Sequence, residues 1–483
     1  MKNILIQKSI LVAVLLCAGA CTKDFESTNT NPNVPEAVPA TSLLLSGITS
    51  GIFGVVTERY GTVQSGQNTI WDCGHWVQYY SGIQFPDSDR YIVDPTGFIY
   101  VWGTYFNALQ DVQTIINNRE NGDNMVAAAM VMRAFLYSQM VDLLGDIPYS
   151  QALNIDLYKQ PVYDTQESIY KDLTAQLKIA AAKFDPFKDN LGAGDVLYNG
   201  DVNQWEKFAN SLRARLLNHY KHLDPQAASE LTQLLSNPTE FPVFETNADN
   251  AQLIPTHVFP YRNTMFATTV NGTLTNNDGV SALMVTTLKG LNDPRLPVYA
   301  QPNNMGEYIG KPSGAPPAAT LSDFSNLGKV YREDPYFPAS AMTCAELLFI
   351  KSEALHDKQA YLNGIVTAMN TYGLTPDAAY LAAAAAAFDA GELEAIITQK
   401  WIALFGRNSI EAYTEYRRTG FPATIQEAQN VAADIQGRGV PRRLSYPNSE
   451  ESTNGANLQA ARARQHIEGG VRAIFGDKMW WAQ

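Results

Sequence analysis

The recurrence of apolar residues every three or four positions restricts this chain more than any other feature. From Val126, the residues Met130, Ala134, Tyr137, Val141 and Leu144 fall on one helical face, and Leu-Gly-Asp-Ile-Pro at 144–148 then stops that helix. Ile169, Leu173 and Leu177 repeat the spacing, as do Trp205, Phe208, Leu212 and Leu216. Leu393, Ile396, Ile397, Trp401, Leu404 and Phe405 mark a further helix that ends at Gly406. Alanine is dense from Ala378 to Ala390, a helix-favouring composition. Strand patterns are few and short. The expected fold class is therefore mainly α, built of paired helices joined by short turns. No clean period of about 34 residues is present, so any tetratricopeptide-like character is degenerate.

Between the helices lie long irregular stretches near 58–98, 239–280 and 297–340, rich in Gly, Pro, Asn and aromatics. Loops of that length in a compact protein are usually functional. The densest segment is WDCGHWVQYYSGIQFPDSDRY, which sets Trp71, Trp76, Tyr79, Tyr80, Phe85 and Tyr91 beside Asp72, Gln78, Asp87, Asp89 and Arg90. A sugar ring stacks its C–H face on an aromatic plane, and its hydroxyls need carboxylate, amide or guanidinium partners. These six aromatics are the first candidates for ligand binding. Tyr261, Phe266, Tyr336 and Phe337 come next, with Tyr299, from the other two loops. Aromatic residues equally fill cores. Tyr79 and Tyr80 are adjacent and cannot point the same way on a helix or strand, so at least one is expected to pack.

The first 26 residues, MKNILIQKSILVAVLLCAGACTKDFE, read as a lipoprotein export signal. Lys2 and Lys8 give the positive region, Ile10 to Cys17 a short apolar run, and Ala18-Gly19-Ala20 the small residues before a cleavage site. Cys21 then offers a thiol for acylation, although Ala18 stands where such sites usually carry Leu. The run is too short to span a bilayer, and no later segment reads as a membrane span. The expected organisation is a signal peptide at 1–20, an acylated flexible tether at 21–40, rich in Asn, Pro, Ser and Thr, and one domain at 41–483. Three long acyl chains hold a protein to a membrane almost permanently, since each buried methylene contributes about 0.8 kcal/mol.

Formal charge is -13, from 35 Lys and Arg against 48 Asp and Glu. Residues 1–20 hold two of the lysines and no acids, so the remainder carries -15. An acidic chain whose Arg417-Arg418 and Arg442-Arg443 pairs are isolated is a poor nucleic-acid binder. Cys73 and Cys344 are the two cysteines left after Cys21, too few for a disulfide framework although a single bridge is open to them.

Catalytic motifs are nearly absent: there is no HExxH, no Gly-x-Ser-x-Gly and no phosphate loop. Ser168-Ile169-Tyr170-Lys171 matches Ser-x-x-Lys by chance, inside a helical run without Lys-Thr-Gly. His219 and His222 would need further ligands to hold zinc. Asp185, Asp189, Asp195 and Asp201 lack a calcium-loop spacing. No metal and no cofactor is expected. Carboxylate pairs for glycoside hydrolysis are a matter of spatial separation and stay open at this stage.

Several runs together resemble the SusD/RagB family of nutrient-binding outer-membrane lipoproteins of Bacteroidetes, most closely its SusD-like branch. They include CTKDFE with NTNPN at 29–33, DLLGDIPYSQAL from Asp142, PVYDTQESIYKDL from Pro161, DVLYNGDVNQWEKFANSLRARL from Asp195 and LNDPRLPVY from Leu291. MTCAELLFIKSEAL from Met342, ITQKWIALF from Ile397, EAYTEYRRTGFP from Glu411, VPRRLSYPNSE from Val440 and the terminal Trp480-Trp481 complete the set. Most of these positions read as scaffold. Glu346, Glu353, Arg417 and Arg418 are expected to cap helices or pair across them.

The resemblance implies a SusD-like helical scaffold with long aromatic-rich loops over 41–483. It implies a non-enzymatic, lipid-anchored protein at the outer membrane, facing the cell exterior. Such a protein captures an oligosaccharide or peptide and passes it to a SusC-like TonB-dependent transporter. The charges behind Cys21 resemble the acidic signals that send lipoproteins of that group to the surface. A surface glycan-degrading enzyme and an adhesin or structural lipoprotein are the alternatives. If Cys21 is the acylated residue, labelled palmitate enters the wild type and not Cys21→Ser, and label retained by the variant excludes the assignment.

Overall fold

Helices form where the three- to four-residue spacing places them. The computed structural model describes residues 38–53, 56–57, 62–63, 72–92, 97–256, 263, 266 and 277–483. The expected signal peptide at 1–20, Cys21 and the expected tether as far as 37 lie outside the described residues.

The first half is a run of helices: α1 (Ala40–Phe53), α2 (Gly97–Asn117), α3 (Asp123–Leu144), α4 (Gln166–Ala181), α5 (Val202–Tyr220) and α6 (Pro225–Ser236). Each packs on the next, as helix-turn-helix repeats do. Local chemistry sets their starts. Thr165, Asp201 and Asp224 each accept a hydrogen bond from a backbone N–H in the first turn of α4, α5 and α6. At the start of α3 the donors of Asn124 and Met125 go to the Asp189 carboxylate, both at 3.0 Å.

Helix α3 departs from expectation. Its apolar residues were read as one face, yet it is buried nearly all round, from Asn124 to Leu144 with few gaps. By length and composition it also qualifies as a membrane span, contrary to the sequence reading, but 83% of its apolar window is buried inside the protein. It is a core helix, enclosed by α1, α2, α4 and α5. Its exit needs Gly145, whose φ is +86°, because a Cβ there would stand 1.8 Å from Arg443 Nη2.

The second half carries α7 (Cys344–Leu355), α8 (Lys358–Asn370), α9 (Ala378–Ala390), α10 (Glu392–Leu404) and α11 (Ser409–Thr419). Helix α7 packs on α5, α8 and α10, which joins the halves through one core. Among the described residues the sheets are two-stranded and antiparallel. They pair β1 (Tyr80–Gly82) with β5 (Asp278–Val280), β2 (Ile147–Pro148) with β3 (Tyr163–Asp164), and β4 (Ala251–Leu253) with β6 (Ala339–Met342). Residues 40–483 form one unit. Cys73 and Cys344 are both buried and unbridged.

Four helices meet in a buried ion network. Arg215 of α5 lies 2.6 Å from Glu346 of α7 and 3.5 Å from Glu411 of α11. Lys400 of α10 lies 2.8 Å from Glu411 and 3.2 Å from Glu415. Arg418 joins Glu415 to Glu353 of α7, both at 2.7 Å, and Lys221 reaches Glu353 at 3.0 Å. Burial opposes ionisation of Glu353, but Arg418 and Lys221 outweigh it and hold the carboxyl well below the usual range. A depressed carboxyl contributes stability above its unfolded pKa, about 4.3, and that stability is lost as pH falls. Between about pH 5 and pH 3, denaturant melts of the wild type should lose stability more steeply than those of Glu353→Gln. A gap between the two that stays constant over that window rules this out.

Candidate functional site

Helix α10 ends on Phe405, and the next three residues build the site. The Phe405 ring meets Tyr299 at 4.7 Å in a stack, Tyr79 at 5.3 Å, Tyr80 at 5.5 Å and Tyr331 at 5.6 Å. Gly406 follows with φ +68°, and a Cβ there would lie 2.4 Å from the Tyr331 ring. The left-handed turn brings Arg407 to a cleft wall, and Asn408 then caps α11 by accepting from Glu411 N–H at 3.0 Å.

The cleft has a volume of about 870 Å³, within the range of small-molecule sites. Its apolar wall is Phe337 and Tyr372, whose rings are nearly parallel, 14° apart, with centroids 6.4 Å from each other. The Arg407 guanidinium lies 4.9 Å from the first ring centre and 5.2 Å from the second, a cation–π seat on both. Arg407 Nε donates to Tyr372 Oη at 3.3 Å and Nη1 to Ser340 Oγ at 3.4 Å. Tyr331 and Tyr372 hydroxyls are 3.0 Å apart. Burial holds the Tyr331 phenol well above its ordinary pKa, so it stays a neutral hydroxyl. Gln252, Gln301, Lys329, Asp334 and Thr371 supply the polar lining. An aromatic face ringed by amide, hydroxyl and charged groups matches the two surfaces of a sugar, apolar C–H face and polar edge.

Of the residues singled out in the sequence, Phe337 backs this cleft as a core ring only 3% exposed, and its chain neighbour Tyr336 is half exposed at 51%. Asn263 meets the same wall, donating Nδ2 to Phe337 O at 2.9 Å and its N–H to Pro335 O at 3.3 Å. Phe266 is half-buried and donates its N–H to Asn263 Oδ1 at 3.1 Å. Tyr261 and Trp71 lie outside the described residues.

The remaining aromatics of the 71–91 segment divide. Phe85 is 70% exposed, held by Asn277 Oδ1, which accepts from Phe85 N–H at 2.8 Å. Trp76, Tyr79, Tyr80 and Tyr91 are core residues instead, each almost wholly buried. Trp76 packs edge-on against Tyr413 at 5.4 Å and Tyr91 at 6.3 Å. Tyr79 and Tyr80 both face the Phe405 cluster, which the adjacent-residue argument did not anticipate: a sharp turn, with Gln78 at φ +56°, precedes them. Tyr299 is likewise buried on Phe405. Tyr372, Arg407 and Gln252 were missed. The one local signal was Gly406, which marks a left-handed helix exit and so a fixed place for the residue after it.

Other clusters have structural roles. His219, Glu411 and Glu415 bring ligand-type atoms within 4.8 Å of one another, but the Lys400 ammonium already occupies that seat. Asp195 accepts from the N–H groups of Leu197, Tyr198 and Gly200 and from Trp205 Nε1, so it braces a turn. A second cleft of about 860 Å³ lies between α2, the 151–161 segment and Glu450, with Trp102 and Phe106 in its wall. A smaller one of about 350 Å³ runs between α9 and α10.

The sequence model of a SusD-like family, described as starch-binding and associating with the outer membrane, matches residues 32–447. The chain belongs to the SusD-like family. Among solved structures, a chitin-binding protein is 26% identical, with 92% of this chain and 100% of that one covered and a TM-score of 0.78. A chitin-binding SusD homologue from Flavobacterium johnsoniae is 23% identical over 92% and 99% of the two chains, with a TM-score of 0.77. A SusD homologue from Bacteroides fragilis is 24% identical over 92% and 100%, with a TM-score of 0.71. No curated protein matches the chain. The helix-dominated SusD-like scaffold is thus the fold of this chain, and two of its solved relatives are described as chitin-binding.

Proposed function

We propose that this SusD-like protein is a surface-exposed lipoprotein that captures an oligomeric glycan in the Phe337–Tyr372–Arg407 cleft and passes it to a partner TonB-dependent transporter. The observation that carries the reading is the cleft itself: two near-parallel rings roofed by a guanidinium, with amides, a hydroxyl and both signs of charge around them. Family membership supports a glycan as the ligand, since the family is described as starch-binding and two structural relatives as chitin-binding. Phe85 and Tyr336, exposed outside the core, are the further ring surfaces for a longer chain. Acylation at Cys21 would hold the domain to the outer membrane at the end of the 21–40 tether, facing the exterior. The body has no route of its own for moving a solute across a membrane, which is the reason for a barrel partner.

Calorimetric titration with chito-, malto- and cello-oligosaccharides, and with peptides as the rival ligand, tests capture. Tyr372→Ala should weaken the bound oligomer at least several-fold, because ring stacking contributes on the order of 1 kcal/mol. Thermal melts should show a smaller loss than for a core aromatic, since Tyr372 is half-buried. Normal binding by a folded Tyr372→Ala moves the site elsewhere, and shortening of the ligand during titration replaces capture with catalysis.

Delivery has its own test. A detergent pull-down from native membranes should recover a transporter barrel with the protein, and recovery of the protein alone, with the barrel expressed, refutes the partnership.

A further inference from the structure

Arg407, like the buried Arg443 and Lys311, has no carboxylate partner among the described residues, and unlike them it lines the cleft. Arg215, Arg295, Lys400 and Arg418 are buried directly on carboxylates. Arg407 is 9% exposed, yet among the described residues no carboxylate lies within ion-pair distance and its Nη2 donates no hydrogen bond. Two ring faces and two hydroxyls fix the guanidinium in place and leave one edge of its fork open to the cleft.

Its surroundings lean the same way. Gln252 stands opposite Ser340 in the β4–β6 register, so its side chain shares a sheet face with the hydroxyl that Arg407 contacts. Gln252 also lines the cleft, and among the described residues its amide oxygen has no partner. Lys329, 72% exposed and 3.9 Å from the Glu333 carboxylate, adds an ammonium at the rim. The cleft's carboxylate, Asp334, already accepts from Tyr336 N–H at 2.8 Å. Asp334 Oδ2 and Gln301 Oε1 remain as acceptors, and the strongest donor left for a ligand is the planar fork of Arg407. A guanidinium prefers a planar carbonyl or carboxylate oxygen to a hydroxyl, because charge-assisted bonds to such acceptors are the stronger and better directed ones.

The geometry points to a narrower ligand class: saccharides whose ring carries a carbonyl-type oxygen, as an N-acyl amide or a uronate carboxylate, with that oxygen on Arg407 and the ring on the half-buried Tyr372. This rests on the glycan reading of the same cleft. Sugars bearing hydroxyls alone offer the fork weaker, neutral acceptors.

The test compares wild-type affinities for chitotetraose, tetragalacturonate, cellotetraose and maltotetraose at low and high salt. Cellotetraose differs from chitotetraose only in bearing a hydroxyl where the latter bears an acetamido group, so that pair needs no variant. At least one of the first two should bind tenfold or more tightly than both plain hexose oligomers. Affinity that falls with salt assigns a carboxylate, and affinity that does not assigns the N-acyl group. Arg407→Lys, checked for folding by thermal melt, should cut the preference below threefold. Cellotetraose or maltotetraose binding as tightly as both acyl and acidic oligomers overturns this inference and leaves the glycan reading standing. Binding of none of the four removes both.

Discussion

Lys400 and Glu411 sit 2.8 Å apart in the interior, on either side of the turn that carries the cleft's cation. Neither charge would be tolerated alone at that depth. Breaking such a pair costs about 3–5 kcal/mol because it strands the other partner. Here the charges also chain outward, through Glu415, Arg418 and Glu353 on one side and Arg215 and Glu346 on the other. Helices α5, α7, α10 and α11 are thereby held in one arrangement. Since α10 and α11 are joined by only 405–408, fixing the helices fixes where Phe405 and Arg407 point.

The aromatic layer is built on that turn from the other side. Phe405 faces Tyr79, Tyr80, Tyr299 and Tyr331, residues drawn from three widely separated stretches of chain. Tyr331 then touches Phe337 at 4.9 Å, and Tyr299 touches Tyr372 at 5.5 Å. The cleft wall is the outer row of a packed aromatic core. A binding surface supported in this way loses little ordering entropy when ligand arrives, which is what preorganisation supplies.

Much of the scaffold was legible because helical spacing is a local property. Ile169, Leu173 and Leu177 are on the buried face of α4, and Trp205, Phe208, Leu212 and Leu216 on that of α5. Spacing says less about a helix buried on every side, and α3 was read as one-faced for that reason. The cleft was legible only in part. Aromatic density in 71–91 looks the same whether rings face solvent or core. Trp76 and Tyr79 go inward because Tyr413, Trp401 and Phe405, more than 300 positions away, meet them there. Arg407, Tyr372 and Gln252 come from three elements with no common motif. Only the tertiary fold makes them neighbours.

A sugar in this cleft would meet ring edges, hydrogen-bond donors and one carboxylate. Glycoside hydrolysis in most enzymes needs two carboxyl groups facing each other across the bond, about 5–10 Å apart. Among the described lining residues the cleft has one, Asp334, and its Oδ1 is engaged by a backbone N–H. Four of the interior's other acids, Glu346, Glu353, Glu411 and Glu415, are bound to cations and buried. Carboxylates spent on the scaffold are unavailable for proton transfer, and the groups that reach the cleft besides Asp334 are mainly ring edges and hydrogen-bond donors. Those groups stabilise a bound sugar as it stands. They give nothing extra to a developing oxocarbenium ion, whose positive charge a guanidinium at the wall would oppose.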